Sequence, residues 1–137
     1  MSRVVVPTAP YAITQHFERF GTTGLPTPGI YIKNTYRRLV VLKNGWTAFK
    51  IAVISEGWNP KLRITILASK VSQLQAGFNI AKHVFALDLD YRGFIKLASR
   101  VACIESLAKK YLGLRPPRAV NLYESLFESC LLYTSPS

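Results

Sequence analysis

The sequence is poor in acidic residues and in cysteine, and both shortages limit what the chain can be. It has 7 Asp and Glu against 18 Lys and Arg, so its formal net charge is +11. Two cysteines, Cys103 and Cys130, supply neither a disulfide framework nor the ligands of a zinc module. No apolar run reaches the roughly eighteen residues that a membrane-spanning helix needs. We therefore expect no disulfide-stapled scaffold, no zinc module and no membrane span.

The N-terminal segment lacks the apolar stretch of a secretory signal peptide. After Met1-Ser2-Arg3 only three valines precede Pro7, whereas a signal peptide carries about 7–15 apolar residues in a row. We expect a cytoplasmic protein. Because 49% of the 137 residues are hydrophobic, a disordered tail is excluded, and the length suits one domain and the beginning of another.

Positive charge is concentrated in the first two thirds of the chain. Residues 1–86 hold eleven Lys and Arg against two acids, a net charge of +9, while residues 87–129 hold seven against five, a net charge of +2. A basic domain suggests a polyanionic partner, and nucleic acid is the commonest one. The alternative is a basic domain that has no such partner.

Alternating apolar residues predict a sheet in the basic part of the chain. The predicted strands cover residues 11–20, 36–43, 46–54 and 61–68. Asn44-Gly45, between the second and third strands, predicts a hairpin because both residues tolerate the positive φ of its turn. Since these strands are apolar on one side only, the sheet is expected to be antiparallel.

From residue 71 the apolar period changes to that of helices. The first helical stripe consists of Val71, Leu74, Phe78, Ala81 and Phe85. It is predicted to cover the sheet, which gives an α+β module, and two further stripes follow over residues 91–98 and 101–111. Asn121, with Glu124 three residues later, reads as the capping box of a fourth helix.

Polar residues of catalytic type do not form a recognisable constellation. His16 and His83 have no companions at metal-ligand spacing, so we expect structural roles and no metal site. Asp88 and Asp90 precede a predicted helix, where carboxylates cap free N–H groups more often than they form an acid/base pair. No glycine-rich phosphate loop is present.

Aromatic residues interleaved with cations suggest a second mode of nucleic-acid binding. Trp46, Trp58, Tyr31 and Tyr36 alternate with Arg37, Arg38 and Lys43. Such a set can stack on unpaired bases. Strand aromatics also pack across a sheet, and the pattern favours this second interpretation.

The last eight residues, 130–137, resemble a translated sequencing adapter. We therefore interpret residues 1–129 as the native part. The predicted fourth helix is interrupted there, so the chain is expected to be the front piece of a longer protein.

Several blocks, taken in order, resemble the DNA-3-methyladenine glycosylase II group of the helix-hairpin-helix DNA glycosylases. They are Pro10-Tyr11 with Arg19-Phe20, Tyr36-Arg37-Arg38, residues 83–90, Gly113-Leu114-Arg115-Pro116-Pro117-Arg118, and residues 123–128. Together they extend over residues 10–129. Ala12 departs from the acidic residue that the group usually has after Pro-Tyr.

This resemblance implies both a fold and a function. Residues 1–89 would form an α+β domain similar to half of a TATA-binding protein, and residues 90–129 would begin an all-helical glycosylase domain. The parent enzyme would excise alkylated purines from double-stranded DNA as a prokaryotic, cytoplasmic, nucleoid-associated monomer without a cofactor. Its catalytic aspartate would lie beyond Ser129, so this chain would have no catalytic residue and no activity.

The resemblance also suggests site residues in this chain. By analogy Phe20 would line the base pocket, although an ordinary core role is the stronger interpretation for an aromatic residue on a strand. Arg37, Arg38 and Arg118 are the candidate contacts to DNA phosphates.

Two alternatives stay open. An 8-oxoguanine glycosylase/lyase has a similar front domain and differs by a nucleophilic lysine further along the chain. A non-enzymatic, basic nucleic-acid-binding module would instead end near here. The module predicts a closed core containing Leu107, Tyr111, Leu122 and Phe127, whereas the fragment predicts an exposed apolar face on the last helices.

Overall fold

The computed structural model describes residues 1–21, 29–115 and 118–134; of residues 19–21, 128 and 131–134 it describes the backbone alone. The elements in chain order are β1 (Ser2–Val5), α1 (Thr14–Gly21), β2 (Ile30–Ile32), β3 (Thr35–Leu42), β4 (Gly45–Ser55), β5 (Lys61–Ala68), α2 (Leu74–Val84), α3 (Arg92–Ala98), α4 (Ala102–Lys110) and α5 (Leu122–Thr134). A short 3-10 turn, Val71–Gln73, leads into α2.

Within the described residues the sheet has five strands in the order β1-β5-β4-β3-β2, and its neighbouring strands are antiparallel. The α+β class expected from the sequence is confirmed. Strand β5 has the predicted bounds, with Leu62, Ile64 and Ile66 buried on one side. Strands β1 and β2 add one strand to each edge of the predicted sheet.

The two faces of the sheet differ in what covers them. The inner face packs against α2, which contacts β4 and β5. The open face consists of the even-numbered residues of β1, β2 and β4 and the odd-numbered residues of β3 and β5, which pair across the strands. Its large apolar side chains are 42–80% exposed. The sheet is therefore one-sided, as the alternation predicted.

Strands β3 and β4 form the predicted hairpin, with the turn one residue earlier than expected. The loop is Lys43-Asn44, and Gly45 is the first residue of β4 at a φ of +147°. A second two-residue loop, Lys33-Asn34, joins β2 to β3. Both of its residues have positive φ, 48° and 55°, as a type I′ turn requires.

The segment of residues 11–20 was predicted as a strand, and this prediction is wrong. Its first two residues make isolated bridges, and α1 begins at Thr14. Glu56 accepts hydrogen bonds from the N–H groups of Ile13 and Thr14 at 2.5 and 2.9 Å. These donors lack intrahelical partners, and a carboxylate beside them is favoured by the helix dipole. A helix start is therefore stabilised by a residue 42 positions away.

An aromatic cluster fills the space between α1, the sheet and the end of α2. Phe17 stacks on Tyr36 at 4.9 Å between ring centroids, and Phe85 meets both rings edge-on at 5.6 and 5.1 Å. The helical stripe ends in this cluster, with Ala81 and Phe85 buried. Val71 is 84% exposed and lies in the turn that precedes α2.

The last helix begins at the predicted capping residue. Asn121 Oδ1 accepts the N–H of Glu124 at 2.9 Å, and Glu124 Oε1 accepts the N–H of Val120 at 3.4 Å. The α5 backbone extends into the adapter-like segment. The boundary at residues 89/90 and the origin of residues 130–137 stay predictions. Among the described residues, no helix has both the length and the apolar character needed to cross a membrane.

Candidate nucleic-acid interface

Arg37 and Arg38, two candidate phosphate contacts, point to opposite faces of the sheet. Arg37 is exposed on the open face, directly across from Lys50. Arg38 lies on the inner face, 8% exposed, and its guanidinium donates to the carboxylate of Glu124. Arg38 thus ties β3 to the start of α5. Phosphate contact stays a prediction for both arginines, and Arg37 is the one at the surface.

The other two candidate residues are Arg118, which precedes α5, and Phe20, which lies in α1. Arg118 is half-buried, and its N–H donates to the carbonyl of Val84 at 2.8 Å, which ties the segment before α5 to the end of α2. The side chain of Phe20 lies outside the described residues. Its backbone belongs to α1 and not to a strand. Base-pocket contact by Phe20 and phosphate contact by Arg118 stay predictions.

The aromatic set proposed for base stacking is divided by the sheet. Tyr31 and Tyr36 lie on the inner face, where both rings pack against Phe17. Trp46 is 42% exposed on the open face, and Trp58 is 58% exposed in the turn between β4 and β5. The packing interpretation therefore holds for the tyrosines. The tryptophans are accessible to a ligand.

A buried arginine joins the segment that follows α4 to the N-terminal segment and to the residues after α2. Arg115 is 1% exposed and donates to the carbonyl oxygens of Ala86 at 3.2 Å, of Pro10 at 2.8 Å and of Thr8. In the sequence, Arg115 stands out only as part of the family block at residues 113–118, because a single cation leaves no periodic signal. Its role in the described residues is to hold three carbonyls together.

Two tyrosines enclose the same guanidinium. Its carbon lies 5.2 Å from the ring centroids of both Tyr11 and Tyr91, within the range of a cation–π contact. Burial lowers the pKa of Arg115 and raises the pKa of Tyr11 well above its ordinary value. The hydroxyl of Tyr11 donates to the carbonyl of Phe85 at 3.1 Å. We expect Tyr11 to stay neutral and to act as packing, not as a catalytic acid or base.

Asp90 lies one residue before the N-cap of α3, Tyr91, and accepts a free N–H of the helix start as predicted. Its Oδ1 accepts the N–H of Arg92 at 2.9 Å at the start of α3, and its carboxylate receives the Arg92 guanidinium at 2.7–3.1 Å. The side-chain hydrogen bonds, followed by the backbone one, lower the pKa of Asp90 to about 2. The carboxylate is ionised near neutral pH and is unsuited to donating a proton. Asp88 lies 3.6 Å from Lys82 on the surface.

The histidines occupy separate helices. His16 lies in α1, not on the predicted strand, and His83 is exposed on α2. Among the residues that the structure describes, no three His, Cys, Asp or Glu side chains form a group that could hold a metal ion.

Helices α3, α4 and α5, together with the two residues that flank α4, expose a large share of their apolar side chains. The exposed residues are Phe94, Leu97, Val101, Ile104, Leu107, Tyr111, Leu122, Tyr123, Leu126 and Phe127, at 42–77%. The four that a self-contained module would bury are 57% (Leu107), 45% (Tyr111), 74% (Leu122) and 54% (Phe127) exposed. The core that the module alternative requires is therefore not formed by these side chains.

Comparison with solved structures finds a chain of the same fold. A 3-methyladenine DNA-glycosylase from Archaeoglobus fulgidus matches 98% of this chain with a TM-score of 0.75 and 13% sequence identity. This chain covers 45% of that protein, less than half of its length. No family model and no curated protein matches the sequence. The likeness at this identity establishes that the two proteins share the fold of this region.

Proposed function

We propose that this chain is the N-terminal part of a DNA glycosylase that removes alkylated purines of the 3-methyladenine type during base excision repair. The observation that supports the proposal is the fold likeness over 98% of the chain to a 3-methyladenine DNA-glycosylase. The family blocks between residues 10 and 129 point to the same class from the sequence alone. The partner proposed is double-stranded DNA with an alkylated base.

The exposed helix face also fits this proposal. In the proposed whole protein, the apolar side chains of α3–α5 would pack against further helices of the glycosylase domain. Apolar surface of this kind is costly to leave in water, at about 25 cal/mol for each Å². Helices α3, α4 and α5 would then form the first part of a second hydrophobic core.

The proposed reaction is hydrolysis of the N-glycosidic bond. The target base is turned out of the stack into a pocket, water adds to the sugar carbon, and the alkylated purine leaves. A carboxylate stabilises the positive charge that develops on the sugar. That aspartate is proposed to lie beyond Ser129, and Phe20 is the proposed pocket wall within this chain.

The test is base release from alkylated DNA. DNA treated with a methylating agent is incubated with the purified product of the uninterrupted gene, and released 3-methyladenine is measured by chromatography. We expect release by the whole product and none by the 137-residue chain. Absence of release by the whole product, or turnover by the 137-residue chain, would overturn the proposal.

A second substrate separates the lyase alternative. A duplex with one 8-oxoguanine is incubated with the whole product under borohydride, which traps the Schiff base of a nucleophilic lysine. We expect no trapped complex. A trapped complex together with 8-oxoguanine release would replace the proposed enzyme with a glycosylase/lyase.

A further inference from the structure

The open face of the sheet carries a row of cations and hydroxyls that crosses four strands. Arg37 pairs with Lys50, Lys50 with Thr65, and Thr65 with Ser2. The hydroxyl oxygens of Ser2 and Thr65 are 3.2 Å apart. Arginine, lysine, serine and threonine are side chains that proteins use to bind nucleic-acid phosphates.

The row has an electrostatic cost in the chain as it stands. Arg37 and Lys50 are exposed and directly opposite each other, and like charges in that position destabilise a sheet. Arg63 lies two residues before Thr65 on β5. It is therefore a diagonal neighbour of Lys50, at a distance of roughly 7–8 Å. Within the described ranges the five strands contain no Asp or Glu, and none of the three cations forms an ion pair. A bound anion would relieve this repulsion.

One end of the same face is apolar and aromatic. Val41 pairs with Trp46, and Leu39 and Leu67 flank Ala48, the next residue of β4 on this face. Val41, Leu39 and Leu67 are each more than half exposed, and Trp46 is 42% exposed. Lys50 lies four positions after Trp46 on β4, a distance of about 13 Å at the strand rise. The face thus combines an anion-binding row with an apolar surface at a distance that a few nucleotides span.

We propose that the open face binds single-stranded nucleic acid, with phosphates on the Arg37–Lys50 row and a base stacked on Trp46. A single strand presents both negative charge and flat apolar bases. A duplex presents its phosphates but keeps its bases stacked inside. A second copy of this chain, with its net charge of +11, would be repelled by the row.

This proposal does not depend on the glycosylase assignment. Its ligand is undamaged, no bond is broken, and its residues lie on the sheet and not on the exposed helices. Both proposals can therefore fail separately.

The experiment measures binding of a fluorescein-labelled oligothymidine 12-mer to the 137-residue chain over a series of salt concentrations. Neutralising two cations, R37S with K50S, should weaken binding and reduce the slope of log affinity against log salt by about 1.4, or about 0.7 for each lost phosphate contact. The same variant should unfold at an equal or higher urea concentration, because a like-charge pair is removed. The matched control is K82S with K96S on α2 and α3, which should leave the sheet surface unchanged.

The stacking part has its own matched pair. W46L should weaken binding roughly 5- to 150-fold, which corresponds to the loss of one base–aromatic stack. W58L removes the other exposed tryptophan, which lies outside the sheet, and should leave affinity within about twofold.

Four outcomes would overturn the proposal. They are equal weakening by the control double variant, no effect of W46L, equally tight binding of a 12-base-pair duplex at the same phosphate concentration, and equally effective competition by poly-glutamate. The last two would assign the face to duplex DNA or to an acidic protein.

Discussion

At the scale of residues, the arginines of this chain divide by whether the protein itself provides their partner. Arg115 has three carbonyls and two rings, and Arg38 has Glu124. Arg37 has a lysine opposite and no carboxylate among the described residues. The first two therefore contribute to the fold, and the third is suited to an external anion.

Replacing Arg115 tests whether its geometry, and not only its charge, is required. A lysine keeps the charge but cannot reach three carbonyls with a planar fork. We expect R115K to lower the free energy of unfolding by about 2 kcal/mol, since buried carbonyls lose donors. Urea unfolding provides the measurement. R92K, at an exposed ion pair, should leave the free energy of unfolding nearly unchanged; equal effects of the two variants would disprove the role of Arg115.

Tyr11 predicts how stability changes at alkaline pH. Burial raises its pKa above the ordinary value of 10.0, so the folded chain holds this proton more tightly than the unfolded chain does. The resulting stability is complete below about pH 10 and is lost as the pH rises towards the folded pKa. We expect the difference in unfolding free energy between the wild type and Y11F to shrink between about pH 9 and pH 11. A difference independent of pH would show that Tyr11 ionises normally in the folded chain.

The sequence predicted residue placement where alternation decides it. The period of two in residues 61–68 puts Leu62, Ile64 and Ile66 on one side of the strand, and all three are buried in the core. It could not reveal that Glu124, 86 positions away, would accept from Arg38. Adjacent cations therefore looked equivalent in the sequence, although one of them is buried in the fold.

At the scale of secondary-structure elements, the sequence predicted a hairpin from its local turn residues. It did not predict a helix start that a distant residue stabilises. Asn44-Gly45 predicted the β3–β4 hairpin because the signal is local, although the loop itself is Lys43-Asn44 and Gly45 is the first residue of β4. The segment of residues 11–20 alternates like a strand, but the N–H groups of Ile13 and Thr14 donate to Glu56, which stabilises the start of α1. Lys33-Asn34 was missed as a turn because its first residue is not one of the usual turn formers.

Replacing two helical glycines by alanine should change the stability in opposite directions. A methyl group at Gly77 of α2 would overlap the hydroxyl of Thr47 and come within 2.8 Å of a methyl of Ile66, whereas one at Gly93 of α3 meets nothing within 4 Å. We expect G77A to destabilise by about 1–3 kcal/mol through overpacking. G93A should stabilise by up to about 1 kcal/mol through helix propensity.

Thermal unfolding of both glycine variants, compared at equal concentration, measures these changes. Because the substitution is the same, its propensity term is shared and the difference reports the approach of α2 to the sheet. Stabilisation by G77A would mean that α2 leaves room for a methyl group beside Thr47 and Ile66.

At the scale of the whole molecule, the two regions bury their apolar residues to different extents. The sheet, α1 and α2 enclose a continuous core. The later helices α3, α4 and α5 contribute a single buried apolar residue, Ala98, among the side chains described. The helical stripes were readable from the sequence, but a stripe states only which side is apolar and not what covers it.

This difference predicts that substitutions in the two regions change the free energy of unfolding by different amounts. Leu107 and Phe127 are 57% and 54% exposed, whereas Leu62 is fully buried. We expect L107Q with F127Q to change the free energy of unfolding by less than about 1 kcal/mol in total, because exposed sites usually contribute within about 0.5 kcal/mol each. L62A should cost about 2–5 kcal/mol.

The same double variant should also lower self-association, since exposed apolar patches drive contact between copies. Sedimentation equilibrium at several concentrations measures it, with L62A and the wild type alongside. A loss of stability close to that of L62A, without a change in association, would show that the helices bury these side chains against each other. Reduced association at unchanged stability would instead mean that this apolar face is available to a partner, which is the surface that the proposed glycosylase domain would cover.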